Sequence, residues 1–199
     1  MPFPTRFSVV SHAKKFWFHI VEAAKVLTMQ WQPPLLIVLA SLVACAPSAN
    51  LSRDRYSTQA VIQSLQPSRG LQANYKIGEF VRFSFRLERA GFVTLIAADS
   101  SGIYELERNI NMEAGTRSLP LRTDTNAQGE SAAYKIGPPA GPQRVIMLYT
   151  NAPGPSKTDV KFEGKLDNAR LEGAVNSFFD RSGASARDLV EITVNVEKP

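Results

Sequence analysis

A single thiol and a pair of neighbouring carboxylates are the groups in this 199-residue chain whose type and position could carry chemistry. Cys45 is the only cysteine, and it closes the apolar run Leu35 to Ala44. A lone cysteine cannot form an intramolecular disulfide, so its sulfur is available for modification. Glu105 and Glu107 stand at i and i+2 in a stretch that reads as a strand over 103–110. Such spacing puts them on one face roughly 7 Å apart, between the separations of ~5 and ~6.5 Å or more that serve retaining and inverting sugar hydrolysis. The ordinary reading of such a pair is a solvated strand face. Both histidines, His12 and His19, precede Cys45, so the chain beyond it holds no imidazole and no second thiol. That removes the usual zinc and copper ligands, the cysteine nucleophile and the serine–histidine pair. Asp99 is a conceivable calcium ligand, but calcium takes six to eight oxygens and no run of spaced acids follows, so neither metal nor cofactor is expected. Ser101-Gly102 and Ser182-Gly183 lack the strand–helix setting of a nucleophile elbow and read as turns.

The residues around the thiol point to where the chain goes. Leu35 to Ala44 is too short for a membrane-spanning helix, which needs ~20 residues, and reads as the apolar core of a removable export signal. Leu42-Val43-Ala44-Cys45 resembles the lipobox of bacterial lipoproteins. That resemblance implies diacylglyceryl attachment to Cys45, cleavage before it and a fatty-acylated (palmitate-type) N-terminus. Ala46, in place of aspartate after the cysteine, would imply the outer membrane where the source cell has one. Residues 1–44 are therefore expected to be leader, with Met29 an alternative start and 1–28 set aside from fold reasoning. Residues 45–58 are expected to form a lipidated tether, rich in serine and with Pro47, and 59–199 a single domain.

Four of the 23 basic and one of the 18 acidic residues lie before Cys45, leaving 19 and 17, a net charge of +2 against +5 for the whole chain. No Lys/Arg cluster remains of the kind that grips nucleic acid, and no nucleic-acid partner is expected. The 155 residues from Cys45 onward suffice for one domain with a real core.

The elements that must position these groups are mostly strands. A first strand is expected over Gln59 to Leu65. From Phe80 to Leu87, Val81, Phe83, Phe85 and Leu87 alternate with Phe80, Arg82, Ser84 and Arg86, which is the period of a half-buried strand. Phe92 to Ala98 is apolar and β-branched enough for a strand covered on both faces. Asp99 to Gly102 turns it into a hairpin with Ile103 to Leu106. Further strands are expected near Thr116 to Leu121, Ser131 to Ile136, Arg144 to Thr150 and Leu189 to Val196. One amphipathic helix is expected from Asp167 to Arg181, with Leu171, Val175, Phe178 and Phe179 at i, i+4, i+7 and i+8. Asp167 or Asn168 would cap its start and Gly183 its end. Phe178-Phe179 reads as part of a helix lid over an open sandwich edge rather than as a partner-docking ridge. The expected fold is mostly β: an antiparallel immunoglobulin-like β-sandwich with one amphipathic helix near the C-terminus.

Tyr75 to Phe83, Gly91 to Leu95 with Asp99 to Gly102, and Pro139 to Val145 ending in Leu148-Tyr149-Thr150 together resemble a bacterial domain-of-unknown-function family. Its members open on tyrosine-x-x-glycine-glutamate, carry a glycine-aromatic strand that ends in an aspartate-x-x-glycine turn, and lead into a late strand through proline-x-glycine. The resemblance covers roughly 70–152. It implies a module of envelope lipoproteins and surface-layer-like proteins, also found beside kinase or caspase-like domains. The chain departs from it at Leu106-Glu107-Arg108-Asn109, where members often have leucine-phenylalanine-proline-asparagine. Its motif residues have plain roles: Gly78 and Gly102 for turns, Tyr75 and Phe92 for core, Pro138 to Pro142 for a stiff connection. The function expected is that of a non-catalytic, membrane-anchored envelope lipoprotein that binds or scaffolds envelope protein or cell-wall glycan. A carboxylate-dependent hydrolase of wall polysaccharide and a sensing or assembly partner of a larger complex remain alternatives. Oligomeric state and binding face are left open, although unpaired strand edges can recruit a partner strand.

Overall fold

The computed structural model describes residues 51–121, 123, 125 and 132–199. Ten strands and two helices follow in order: α1 (Arg53–Tyr56), β1 (Ile62–Pro67), β2 (Asn74–Lys76), β3 (Phe80–Val81), β4 (Phe83–Leu87), β5 (Gly91–Asp99), β6 (Gly102–Met112), β7 (Gly115–Leu119), β8 (Tyr134–Lys135), β9 (Gly141–Thr150), α2 (Asn168–Ser182) and β10 (Arg187–Glu197). They build a five-stranded sheet in the order β2-β10-β9-β5-β6, a three-stranded sheet β1-β4-β7 and a two-stranded ribbon β3-β8. All pairings are antiparallel except β2 with β10. The mostly β fold with a long helix near the C-terminus is the one expected.

The five-stranded sheet is apolar on both sides, and each side carries its own core. Val93 and Leu95 of β5 and Val145, Met147 and Tyr149 of β9 pack with Phe83, Phe85 and Leu87 of β4 and Ile62 of β1. Their odd-numbered register leaves Ile96, Ala98, Ile146 and Leu148 on the other face, against Leu171, Val175, Phe178 and Phe179 of α2. This is why Phe92 to Ala98 reads as a continuous apolar run. It also corrects the expected place of the helix: α2 covers a sheet face, not an open edge. A 15-residue helix with four large buried side chains adds a third layer, each such side chain contributing roughly 1.5–3 kcal/mol. Asp167 caps it by accepting from Ala169 N at 2.9 Å, and Gly183 ends it in the left-handed conformation at φ 61°.

The stretch from Phe80 to Leu87 is two strands. Val81, Phe83, Phe85 and Leu87 are buried as the alternation requires, but the chain leaves the ribbon after Val81 and joins the three-stranded sheet at Phe83. Phe80, outward in the pattern, is 64 % exposed.

Residues 51–58 are not a tether. Leu51 and Tyr56 are buried in the helix-side core, where the Tyr56 ring lies 6.4 Å from that of Phe179. Residues 58 and 59 donate to the Arg187 carbonyl, covering the start of β10 that the three-residue β2 does not reach. Residues 45–50 lie outside the described residues.

Long strand edges are broken up. β1 carries a bulge between Gln63 and Gln66, with Ser64 at φ 53°, and ends in Pro67. β6 has two register shifts and Asn109 at φ 52°. Such devices keep an edge from templating another strand.

Candidate functional site

Cys45 and the preceding Leu42, Val43 and Ala44 lie outside the described residues. The carboxylates expected on one strand face are separated by a bulge. In the pairing of β5 with β6, Leu95 faces Glu107 and Ile96 faces Glu105, so Leu106 is an extra residue that resets the alternation. Glu105 accepts from the Arg108 guanidinium at 2.5 and 3.0 Å, and that guanidinium lies over Phe162 and Phe178 on the helix side. Glu107 instead accepts from the Tyr134 hydroxyl at 2.9 Å, and Tyr134 packs against Phe83 on the opposite side. The shared-face geometry required for paired acid–base work is absent at these two residues.

The turn after β5 has the form the sequence suggests. Asp99 Oδ1 accepts from Ser101 N at 2.7 Å, Ser101 Oγ at 2.6 Å and Gly102 N at 3.1 Å. Gly102 is needed for close approach rather than for a positive φ: a Cβ there would meet the Gly164 carbonyl at 2.9 Å. Gly78, by contrast, has φ 97° and is a true turn glycine. Tyr75 is fully buried, whereas Phe92 is only half-buried. Among the described residues no group of three His, Cys, Asp or Glu is placed to hold a metal.

Asp99 also lines a cavity of about 320 Å³ on the face of the five-stranded sheet that packs against β1 and β4. Its floor comes from Ala97 of β5, Tyr104 and Leu106 of β6, Val145 of β9 and Val194 of β10; Val81, Tyr134 and Ile136 from the ribbon side roof it. The cause is geometric. Among the described residues, the two-residue strands of the ribbon cover less of the sheet than the three-stranded sheet beside them and leave the apolar surface under them only partly filled. A mostly apolar concavity of at least ~300 Å³ with a few polar groups is the usual form of a small-ligand pocket. The polar groups here are Asp99, the Tyr104 hydroxyl, 2.7 Å from Ser101 Oγ, the Tyr134 hydroxyl on Glu107, Gln143 and the exposed Lys135.

No family model, curated protein or solved structure matches this chain. The family resemblance thus rests on its motif residues alone, and the site is read from its own geometry.

Most other buried charge is structural. Asp188, with no exposed surface, accepts from Arg53 Nε at 2.9 Å and Nη2 at 2.6 Å, from Ser57 Oγ at 2.6 Å, and from the amides of Val61 and Ile62 at 2.6 and 2.7 Å. Burial alone would raise its pKa; the Arg53 and Ser57 side chains and the two amides outweigh that and hold it below the usual aspartate value. Arg144 of β9 binds Glu191 of β10 through both carboxylate oxygens, at 2.7 and 2.9 Å, and reaches Asn168 of α2 at 2.9 Å. Glu191 also accepts from Leu51 N. Sequence inspection missed these pairs; the only local trace is a charge in an otherwise apolar strand, as at Arg144. It also missed the cavity, whose walls come from six separate stretches of chain.

Proposed function

We propose that this chain is a non-catalytic lipoprotein of a bacterial cell envelope, a β-sandwich of immunoglobulin-like shape held at the membrane by acyl chains on Cys45. In this reading it binds or scaffolds an envelope protein or a cell-wall component, at the outer membrane where the source cell has one. The observation that carries it is the run Leu42-Val43-Ala44-Cys45 only six residues before Leu51, which is already buried in the folded domain. A lipid there leaves the β-domain intact and close to the bilayer, since six residues span at most ~20 Å. A single acyl chain holds weakly and two or three hold stably. The engagement of Glu105 by Arg108 and of Glu107 by Tyr134, on opposite sides of the sheet, supports a binding role over a carboxylate hydrolase.

The test is fractionation of cells that express the full chain with and without Cys45→Ser. Movement of the variant from the membrane to the soluble fraction is expected, together with an acyl mass on the native N-terminus. Retention of Cys45→Ser in the membrane fraction would sink the reading. Crosslinking in whole cells, followed by mass spectrometry, separates a wall-binding module from an assembly partner of a larger complex.

A further inference from the structure

We propose that the cavity beneath the β3-β8 ribbon is a binding site for an organic cation, an ammonium group on a small apolar body. Asp99 carries the argument. It is only 9 % exposed and lines the cavity, and its Oδ1 is consumed by Ser101 and Gly102 while Oδ2 has no hydrogen-bond partner among the described residues. Oδ2 is therefore open to a donor entering the cavity, and an ammonium group brings three donors and the opposite charge. The rings of Phe83, Tyr104 and Tyr134 line the same hollow, and aromatic side chains are favourable neighbours for a cation.

Lys135 is the opposing group. It lines the cavity but is exposed and makes no ion pair among the described residues, so solvent screens it more than the buried Asp99. A neutral donor brings a hydrogen bond to Oδ2 without a compensating charge, and an anion confronts it. The volume admits a single ring or a short alkyl chain with its head group. The cation has two sources, a free small amine or the lysine side chain of a protein. The inference rests on reading the domain as a binding module and is independent of the lipid on Cys45.

Calorimetric titration of the full chain with phenethylamine, phenethyl alcohol and phenylacetate tests it. Phenethylamine is expected to bind about tenfold or more tightly than the alcohol, because only the ammonium adds the opposite charge to the hydrogen bond, and phenylacetate not at all. Asp99→Asn keeps an oxygen for Ser101 and Gly102 but replaces the free acceptor by a donor; it is expected to keep the melting temperature and lose about tenfold in amine affinity. Lys135→Gln, at an exposed side chain, is expected to tighten amine binding a few-fold. Nα-acetyl-lysine methylamide binding more tightly than phenethylamine assigns the site to protein lysine, and weaker binding assigns it to free amines. Equal binding of the alcohol, preference for phenylacetate, indifference of amine binding to Asp99→Asn, no tightening by Lys135→Gln, or no binding of either amine overturns the proposal. Because the fractionation of Cys45→Ser reads a different property, failure of one experiment is distinct from failure of the other.

Discussion

The Arg53 guanidinium and the Asp188 carboxylate, 135 positions apart, meet in a two-point contact at 2.9 and 2.6 Å. The same carboxylate caps the amides of Val61 and Ile62 where β1 begins. The pair therefore fastens the segment that leads from Cys45 to the first residues of β10, and ties the small sheet to the large one. Asp188→Ala removes the acceptor shared by Arg53, Ser57 and the amides of Val61, Ile62 and Leu189 and is expected to cost about 3–5 kcal/mol, the range for breaking a buried pair. Arg53→Ala, at a partly exposed guanidinium, is expected to cost less. Urea unfolding of both variants checks the order; equal and small losses would mean that the pair is incidental.

The same contact makes stability depend on pH. The folded pKa of Asp188 is depressed, so its contribution is fully present above the unfolded value of about 3.9 and is lost as pH falls through the folded value. Wild type is expected to lose stability progressively below about pH 4, and Asp188→Asn to be weaker at neutral pH with a flatter acid limb. Melting curves from pH 7 to pH 2 on both proteins measure it, and parallel acid limbs would count against the assignment.

Gly91 abuts the Tyr149 ring. A Cβ at Gly91 would stand 2.4 Å from Tyr149 Cε2 and 2.7 Å from the Thr150 carbonyl, while the Tyr149 hydroxyl donates to Ala90 O at 2.8 Å. Gly91→Ala is expected to destabilise by about 1–3 kcal/mol, as overpacking does. Tyr149→Leu in the same chain should return part of that loss, since the backbone carbonyl remains in the way. A double-mutant cycle by chemical denaturation reads the coupling.

Asn109 holds the long β9–α2 connection against β6. Its side chain donates to Gly154 O at 2.8 Å and accepts from Gly154 N at 2.9 Å, from a backbone in the left-handed region. Asn109→Ala loses both bonds and keeps an unfavourable φ, with an expected cost of about 2–3 kcal/mol. Asn109→Gly relieves the φ and is expected to cost less in thermal melts; the reverse order would contradict this account.

Glu105→Gln and Glu107→Gln are expected to differ. The first leaves the Arg108 guanidinium, enclosed by the Pro155 and Val160 carbonyls, without its counter-charge, and should cost about 2–4 kcal/mol. The second keeps an oxygen acceptor for the Tyr134 hydroxyl, so that bond is expected to survive. Neither is expected to abolish any turnover of wall polysaccharide, which zymography on both variants would reveal.

The elements legible in the residues are those whose pattern is local. Phe92 to Ala98 announces a doubly covered strand because both of its faces are apolar. Leu171, Val175, Phe178 and Phe179 announce one helical stripe at the spacing of a 3.6-residue turn. The Asp99 turn and the Asp167 cap are equally readable, since a short side chain reaches backbone only two or three positions away. Residues 51–58 escaped the same reading: their polar composition matches a flexible linker, and the groups that dock them, Asp188, Arg187 and Phe179, lie more than a hundred positions on.

By itself the amino-acid order determined a mostly β chain with one amphipathic helix, and left one thiol after an apolar run and no histidine beyond it. Those follow from side-chain type and short-range periodicity, which need no partner to be defined. Only the tertiary structure decided that Glu105 and Glu107 part company at Leu106, that α2 lies on a sheet face, and that Asp99 opens into a hollow under a two-residue ribbon. Register, bulges and incomplete coverage arise from pairings between distant strands, and a one-residue slip in such pairing turns every side chain to the other face.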